Sequence, residues 1–271
     1  MAYGIEESQV SFRGDGRDLE AYLAVPEGAG GGLPAVVVIQ EIWGLEEHIR
    51  DVARRFAAEG YVALAPDLYT GEWNEKLTPE RVARAMGFLR GASQEVQRDP
   101  DKLESALSEK PQEEKDAVMI LRRLLTPEQR MAFARDLVGA VHYLQKRPEV
   151  DPGRIGSVGF CMGGGISADL AVVCPELAAA VIFYGQNPPL DRVPEINAPV
   201  LGIYGEEDKG ITGAVPELER AMREAGKDFR YHVYPGAPHA FFNDTRPNYR
   251  KESAGDAWRR TLEFFGETLG R

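Results

Sequence analysis

The sequence is poor in cysteine, in histidine and in clustered positive charge, and it has no long apolar run. Two cysteines, Cys161 and Cys174, in 271 residues cannot build a disulfide framework, and no C-x-x-C pair suggests zinc. Only four histidines occur, scattered and outside ligand spacing, so neither a metal nor a cofactor is expected. Acids outnumber bases, 43 to 32, for a net charge of −11 with no basic block, which argues against nucleic acid or an anionic membrane as partner. The longest apolar run, residues 34–39, is far too short to span a bilayer. The opening "MAYGIEESQVSFRGDG" carries acids where a secretory signal would have an apolar stretch. These absences together point to the cytoplasm, where thiols stay reduced. They leave the oligomeric state open.

What is present is an ordinary globular composition, 43% hydrophobic and 28% charged. Two alternating segments, residues 5–12 and 19–25, predict an antiparallel hairpin around "RGDGRD". Then "PAVVVIQ" is a β-branched run of the kind buried on both faces, and "EEHIRDVARRFAAEG" follows with helical spacing and a closing glycine. Strand-like "YVALAPD", "RIGSVGF", "AAAVIFYG", "PVLGIYG" and "DFRYHVYPG" alternate with helical segments from there to the C-terminal "AGDAWRRTLEFFGETL". Such alternation predicts an α/β chain, a mainly parallel sheet with helices on both faces, as one domain over 1–271. Residues 78–127 break the pattern. They read as two helices, "PERVARAMGFLRG" and "QEEKDAVMILRRLL", joined by the charged "ASQEVQRDPDKLESALSEKP". This helical excursion is a candidate lid, with a solvated structural insertion as the alternative.

Chemistry concentrates at strand ends. "GFCMG" has the pattern G-x-C-x-G between a predicted strand and a predicted helix, the nucleophile elbow with cysteine in place of serine. There the backbone N–H of Met162 opens a helix and is a candidate oxyanion donor, while the helix dipole favours a thiolate on Cys161. A buried packing cysteine is the competing reading, and it is the one adopted for Cys174. Downstream, "GEEDKG" ends a strand with acids and "PGAPHAFF" places His239 in a turn after the next strand. His48 and His142 lie in helical patterns and His232 within a strand, so His239 alone fits a catalytic position. Asp208 is preferred to Glu206 and Glu207 because a shorter carboxylate at the third place of its turn suits holding an imidazole. The order Cys161, Asp208, His239 is that of nucleophile, acid and histidine on an α/β sheet. Glu41 ends the first buried strand, where an unpaired carboxylate is costly; capping of the next helix is the alternative.

Taken together, "QEIWG", "PDLY", "GFCMGG", "GEED" and "GAPHAF" resemble the dienelactone hydrolase family over roughly residues 5–269, the excursion apart. The resemblance implies an α/β-hydrolase fold and a small-molecule ester or lactone as substrate. It implies catalytic roles for Cys161, Asp208 and His239, and for Glu41 a contact with the thiol that helps to deprotonate it when substrate binds. It implies Ile42 as the second oxyanion N–H beside Met162. Trp43, Tyr69, Trp73, Phe241 and Phe242 flank the motifs and are candidates to line an apolar pocket with Asn243, core packing of the aromatics being the alternative; the resemblance adds Arg81 or Arg84 as a holder of a substrate carboxylate. Dienelactone-cleaving members have an arginine shortly after the histidine; here Asn243 stands at that place, with Arg246 a candidate replacement. That departure points from dienelactone itself toward a broader esterase or lactonase. A thioesterase or acyl-transfer enzyme would use the same cysteine, and a non-catalytic binder would need none of these residues to react.

Overall fold

The computed structural model describes residues 4–270; the first three residues and Arg271 of the expected 1–271 unit lie outside the described residues. Strands β1 (Ile5–Arg13) and β2 (Asp18–Pro26) form the hairpin, in antiparallel register from Ile5 opposite Pro26 to Arg13 opposite Asp18. There follow β3 (Leu33–Ile39), α1 (Glu47–Ala58) and β4 (Val62–Pro66). The chain then leaves the sheet for α2 (Glu72–Lys76), α3 (Pro79–Gly91), α4 (Gln94–Arg98), α5 (Pro100–Leu107) and α6 (Gln112–Leu124). It returns through α7 (Pro127–Gln145), β5 (Val150–Phe160), α8 (Met162–Val173), β6 (Ala179–Phe183) and β7 (Val200–Gly205). A short α9 (Lys209–Thr212), α10 (Val215–Glu224), β8 (Phe229–Tyr234) and α11 (Lys251–Phe265) complete it.

The eight strands lie in the order β1-β2-β4-β3-β5-β6-β7-β8, antiparallel up to the β2–β4 pairing and parallel beyond it. This is the expected α/β-hydrolase arrangement. Strand β3 shows why its residues are apolar without alternation. Val37 and Ile39 pack into the cluster under α7, α8 and α10, while Val36 and Val38 pack into the one under α1 and α11. Successive side chains of a strand point to opposite faces, so a strand covered on both sides must be apolar throughout.

The segment between α3 and α6, expected to be a charged linker, is mostly helical. Ser93 Oγ accepts from the N–H of Val96 at 3.2 Å to start α4, and Asp99 Oδ1 accepts from the N–H groups of Asp101 and Lys102 at 3.0 and 3.3 Å to start α5. Pro100 occupies the first turn of α5, where its missing N–H costs nothing. Leu103 and Leu107 are the apolar stripe, both buried. Two apolar residues a turn apart in a charged stretch were too sparse a pattern to stand out. Similarly, α7 begins earlier than its apolar periodicity suggested, because Thr126 caps it and Pro127 starts it.

Phe56, fully buried between Tyr61, Trp258 and Phe265 with ring centroids 5.9, 4.6 and 5.9 Å away, anchors α1 to α11. Phe56→Ala should cost about 3–5 kcal/mol, read as a lower urea midpoint with an unchanged denaturant slope.

Candidate active site

Strand β5 ends at Phe160 and α8 begins at Met162, so Cys161 alone makes the turn. Its backbone sits at φ 57°, ψ −116°, a conformation unfavourable for a side-chain-bearing residue and held here by its surroundings. The N–H of Cys161 donates to the carbonyl of Phe183 at 3.0 Å. Strand and helix meet so closely that a Cβ on Gly159 would lie 1.9 Å from the carbonyl oxygen of Gly163. A Cβ on Gly163 would lie 2.4 Å from that of Gln40. The glycines of "GFCMGG" are thus a steric requirement of the turn. Among the described residues, the N–H groups of Met162 and Ile42 donate to no protein acceptor, which leaves both able to bind an oxygen.

His239 follows β8 in a turn where Ala240 takes φ 60°. Its Nδ1 lies 2.5 Å from Asp208 Oδ2, and its ring lines the same cavity as Cys161. The neighbouring acids are differently employed: Glu206 accepts from the N–H of Gly236 at 2.9 Å, and the N–H of Glu207 donates to the carbonyl of Ala237 at 3.0 Å. Burial opposes a charge on the His239 ring. The negative charge at Cys161 and the Asp208 carboxylate outweigh it and push the imidazole up to about 11.

Glu41 is only 1% exposed. Its Oε2 accepts from Asn243 Nδ2 at 2.6 Å and its Oε1 from the Tyr184 hydroxyl at 3.2 Å. Burial raises its pKa, against which Asn243, the charge of His239 and Tyr184 act. Among the described residues the hydrogen-bond partners of the Glu41 carboxylate are Asn243 and Tyr184.

A cavity of about 140 Å³ opens on Cys161 and His239. Its apolar wall comes from Leu125, Met162, Gly165 and Ile211, its polar wall from Arg130, Tyr184 and Gln186. The residues proposed for the pocket from sequence do not line it. Arg81 is engaged by the carbonyl of Glu75 at 2.8 Å and by Glu113 at 2.7 Å. Asn243 is buried against Glu41, and Phe241 against Tyr184 and Tyr234. The Tyr69 hydroxyl donates to the carbonyl of Ile42 at 2.8 Å, which fixes the peptide next to the free Ile42 N–H. Trp43 lies beneath the guanidinium of Arg246, 4.1 Å away, and Arg246 in turn pairs with Glu46 at 2.8 Å. The replacement arginine is thereby occupied.

Sequence reasoning missed Arg130, Asp169 and Tyr184. Arg130, in the first turns of α7, is 4% exposed and forks onto Asp169 of α8, Nε to Oδ2 at 3.0 Å and Nη2 to Oδ1 at 3.4 Å. A signal for Asp169 existed: it is the one charged residue in the otherwise apolar "GGGISADLAVV", and a buried charge needs a partner. Nothing local marked Tyr184, whose φ of 39° turns its ring edge-on to His239 at 5.1 Å.

The sequence profile of the Dienelactone hydrolase family matches residues 19–269. A Saccharolobus solfataricus protein named "Putative carboxymethylenebutenolidase" is 39% identical over 262 residues, 95% of this chain and 97% of its own length. A Salmonella typhimurium protein of the same name is 35% identical, covering 96% of this chain and 87% of its own length. Among solved structures, a dienelactone hydrolase of Klebsiella pneumoniae, also named as putative, superposes with a TM-score of 0.73 at 33% identity over 97% of this chain and 99% of that one. The Pyrococcus horikoshii acylaminoacyl peptidase, at 15% identity, TM-score 0.66, covering 98% of this chain and 42% of that one, shares the fold alone.

The two thiols should differ sharply in reactivity. Cys174 is buried just past the end of α8, and burial raises its thiol to about 11. Native protein treated with iodoacetamide should take one adduct, at Cys161, and a second only on unfolding, as read by peptide mass spectrometry.

Proposed function

The chain belongs to the dienelactone hydrolase family and is a hydrolase, and from that premise we propose that it cleaves carboxylic esters or lactones through Cys161, His239 and Asp208 by way of an acyl-enzyme. The observation that carries the reading is His239, held by Asp208 at 2.5 Å and lining one cavity with a cysteine set in a strained strand-to-helix turn. Lactones enter because the relatives bear the name carboxymethylenebutenolidase.

Each step follows from a named group. The Cys161 thiolate adds to the carbonyl carbon, the C=O electron pair moves onto oxygen, and the N–H groups of Met162 and Ile42 receive the oxyanion. Tyr69 holds the Ile42 peptide from its carbonyl side. Collapse of the tetrahedral intermediate breaks the C–O bond, and the His239 imidazolium gives its proton to the departing oxygen. A thioester remains. Water, deprotonated by the now neutral His239, attacks the thioester and releases the carboxylic acid and the thiolate, and the proton returns to His239. Glu41 contributes as a buried charge coupled to His239, kept in place by Asn243 and Tyr184.

The excursion over 78–127 serves as a lid in this reading, because Leu125, which caps the end of α6, forms part of the cavity wall. Among the described residues no helix is long and apolar enough to cross a membrane; a cytoplasmic location is part of the same proposal, from the two unpaired cysteines.

An aryl ester such as p-nitrophenyl acetate should give a burst of one phenolate per active site, followed by slower turnover. Cys161→Ala should abolish both phases while leaving the circular dichroism spectrum unchanged. Asp208→Asn should lower kcat by about 10²–10⁴. Unchanged turnover in Cys161→Ala would overturn the assignment.

A further inference from the structure

The wall of the cavity facing the nucleophile holds a cation whose charge is already spent. Arg130 has five N–H groups. Nε and Nη2 fork onto Asp169 at 3.0 and 3.4 Å, Nη2 also donates to the carbonyl of Asn187 at 3.1 Å, and Nη1 donates to Gln186 Oε1. One N–H of Nη1 is left, and it lies next to Gly165, where a Cβ would come within 3.2 Å of that nitrogen. Gly165, Arg130 and Cys161 line the same cavity. Asp169, fully buried, cancels the guanidinium charge at its source.

The remaining charges near the nucleophile are unfavourable to an anion. Asp208 lies against His239 and Asp169 against Arg130, so each of these two cations already faces a carboxylate, and Glu41 is a further buried acid held by neutral partners. Desolvating a further carboxylate in that surrounding is penalised, because the one arginine available to it is already neutralised by a bidentate partner. An uncharged oxygen, by contrast, finds a single unused N–H donor. The cavity, about 140 Å³, is also well below the roughly 300–1,000 Å³ of pockets for drug-sized ligands.

We propose that the Arg130–Asp169 pair is a specificity device that makes this hydrolase select short, uncharged acyl groups and reject acyl groups bearing a carboxylate, with the spare Arg130 N–H receiving a neutral acceptor oxygen. This rests on the ester-hydrolase reading above and names its substrate class. Arg130 contacts the acyl group; Asp169 acts through Arg130 as a positioning and charge-balancing residue.

The test compares kcat/KM for p-nitrophenyl acetate and butyrate with that for p-nitrophenyl hemisuccinate, an aryl ester of similar length whose acyl group ends in a carboxylate. The wild-type protein should prefer the neutral esters by about tenfold or more. Asp169→Asn, which keeps an acceptor for Arg130 and removes the cancelling charge, should raise the hemisuccinate-to-butyrate ratio about fivefold or more, chiefly through KM. Gln186→Lys replaces the Nη1 acceptor by a new cation at the exposed rim of the same wall while leaving the Arg130–Asp169 contacts in place, and should move the ratio the same way even if Asp169→Asn does not fold. Equal wild-type rates on butyrate and hemisuccinate, or a ratio unmoved in the folded variants, would overturn the specificity proposal while leaving the esterase reading standing. Absence of turnover on every ester would overturn both.

Discussion

The close approach of β5 and α8 at Cys161 is the constraint from which the rest of the site follows. A strand can hand over to a helix in a single residue only if nothing projects between them, and the spaces beside Gly159 and Gly163 are filled by backbone carbonyls. The turn sets the Cys161 thiol beside the turns after β7 and β8, which deliver Asp208 and His239. It also frees the first N–H of α8 and forces the cysteine into positive φ. The strain at this residue is held by a sheet whose central strand is covered on both faces.

Around the turn the protein maintains several buried charges, and their energetics separate scaffold from chemistry. Replacing a buried ion pair by well-packed apolar residues is often neutral or stabilising, whereas removing one partner alone costs about 3–5 kcal/mol. The Arg130–Asp169 pair is therefore poorly explained as a contribution to stability, and the same holds for Glu41, whose carboxylate is enclosed by Asn243 and Tyr184 instead of solvent. Asp169 illustrates the tension: burial, against the pull of Arg130, lifts its carboxyl to about 6, so the pair is intact at neutral pH and loses its balancing anion only in acid.

Much of this was legible in the residues. All eight strands announced themselves, the hairpin pair by alternation and the central parallel strands as the apolar runs that burial on both faces demands, and Cys161, Asp208 and His239 were singled out as reactive residue types at strand ends. What stayed hidden were groups whose importance is purely three-dimensional. Arg130 and Asp169 are 39 residues apart, on different helices, and only packing of α7 against α8 pairs them. Asn243 was read as a substrate contact because of its place after the histidine, whereas burial turns its amide toward Glu41. The residues 92–111 looked like linker because caps at Ser93 and Asp99, and not periodicity, start their helices.

The turns that follow β7 and β8 are stitched to each other independently of Asp208 and His239. Glu206 accepts from the N–H of Gly236, the N–H of Glu207 donates to the carbonyl of Ala237, and a Cβ on Gly205 would strike that same carbonyl at 2.4 Å. Two segments about thirty residues apart in sequence thus move as one body, and the acid and the base inherit a fixed separation from main chain instead of from their own side chains. In the proposed hydrolysis, the entropy of aligning that imidazole is then lost once, when the polypeptide folds, and not again at each turnover. Loop fluctuations that would blunt an acid–base pair on independent tethers are restrained here by the hydrogen bonds between the two turns.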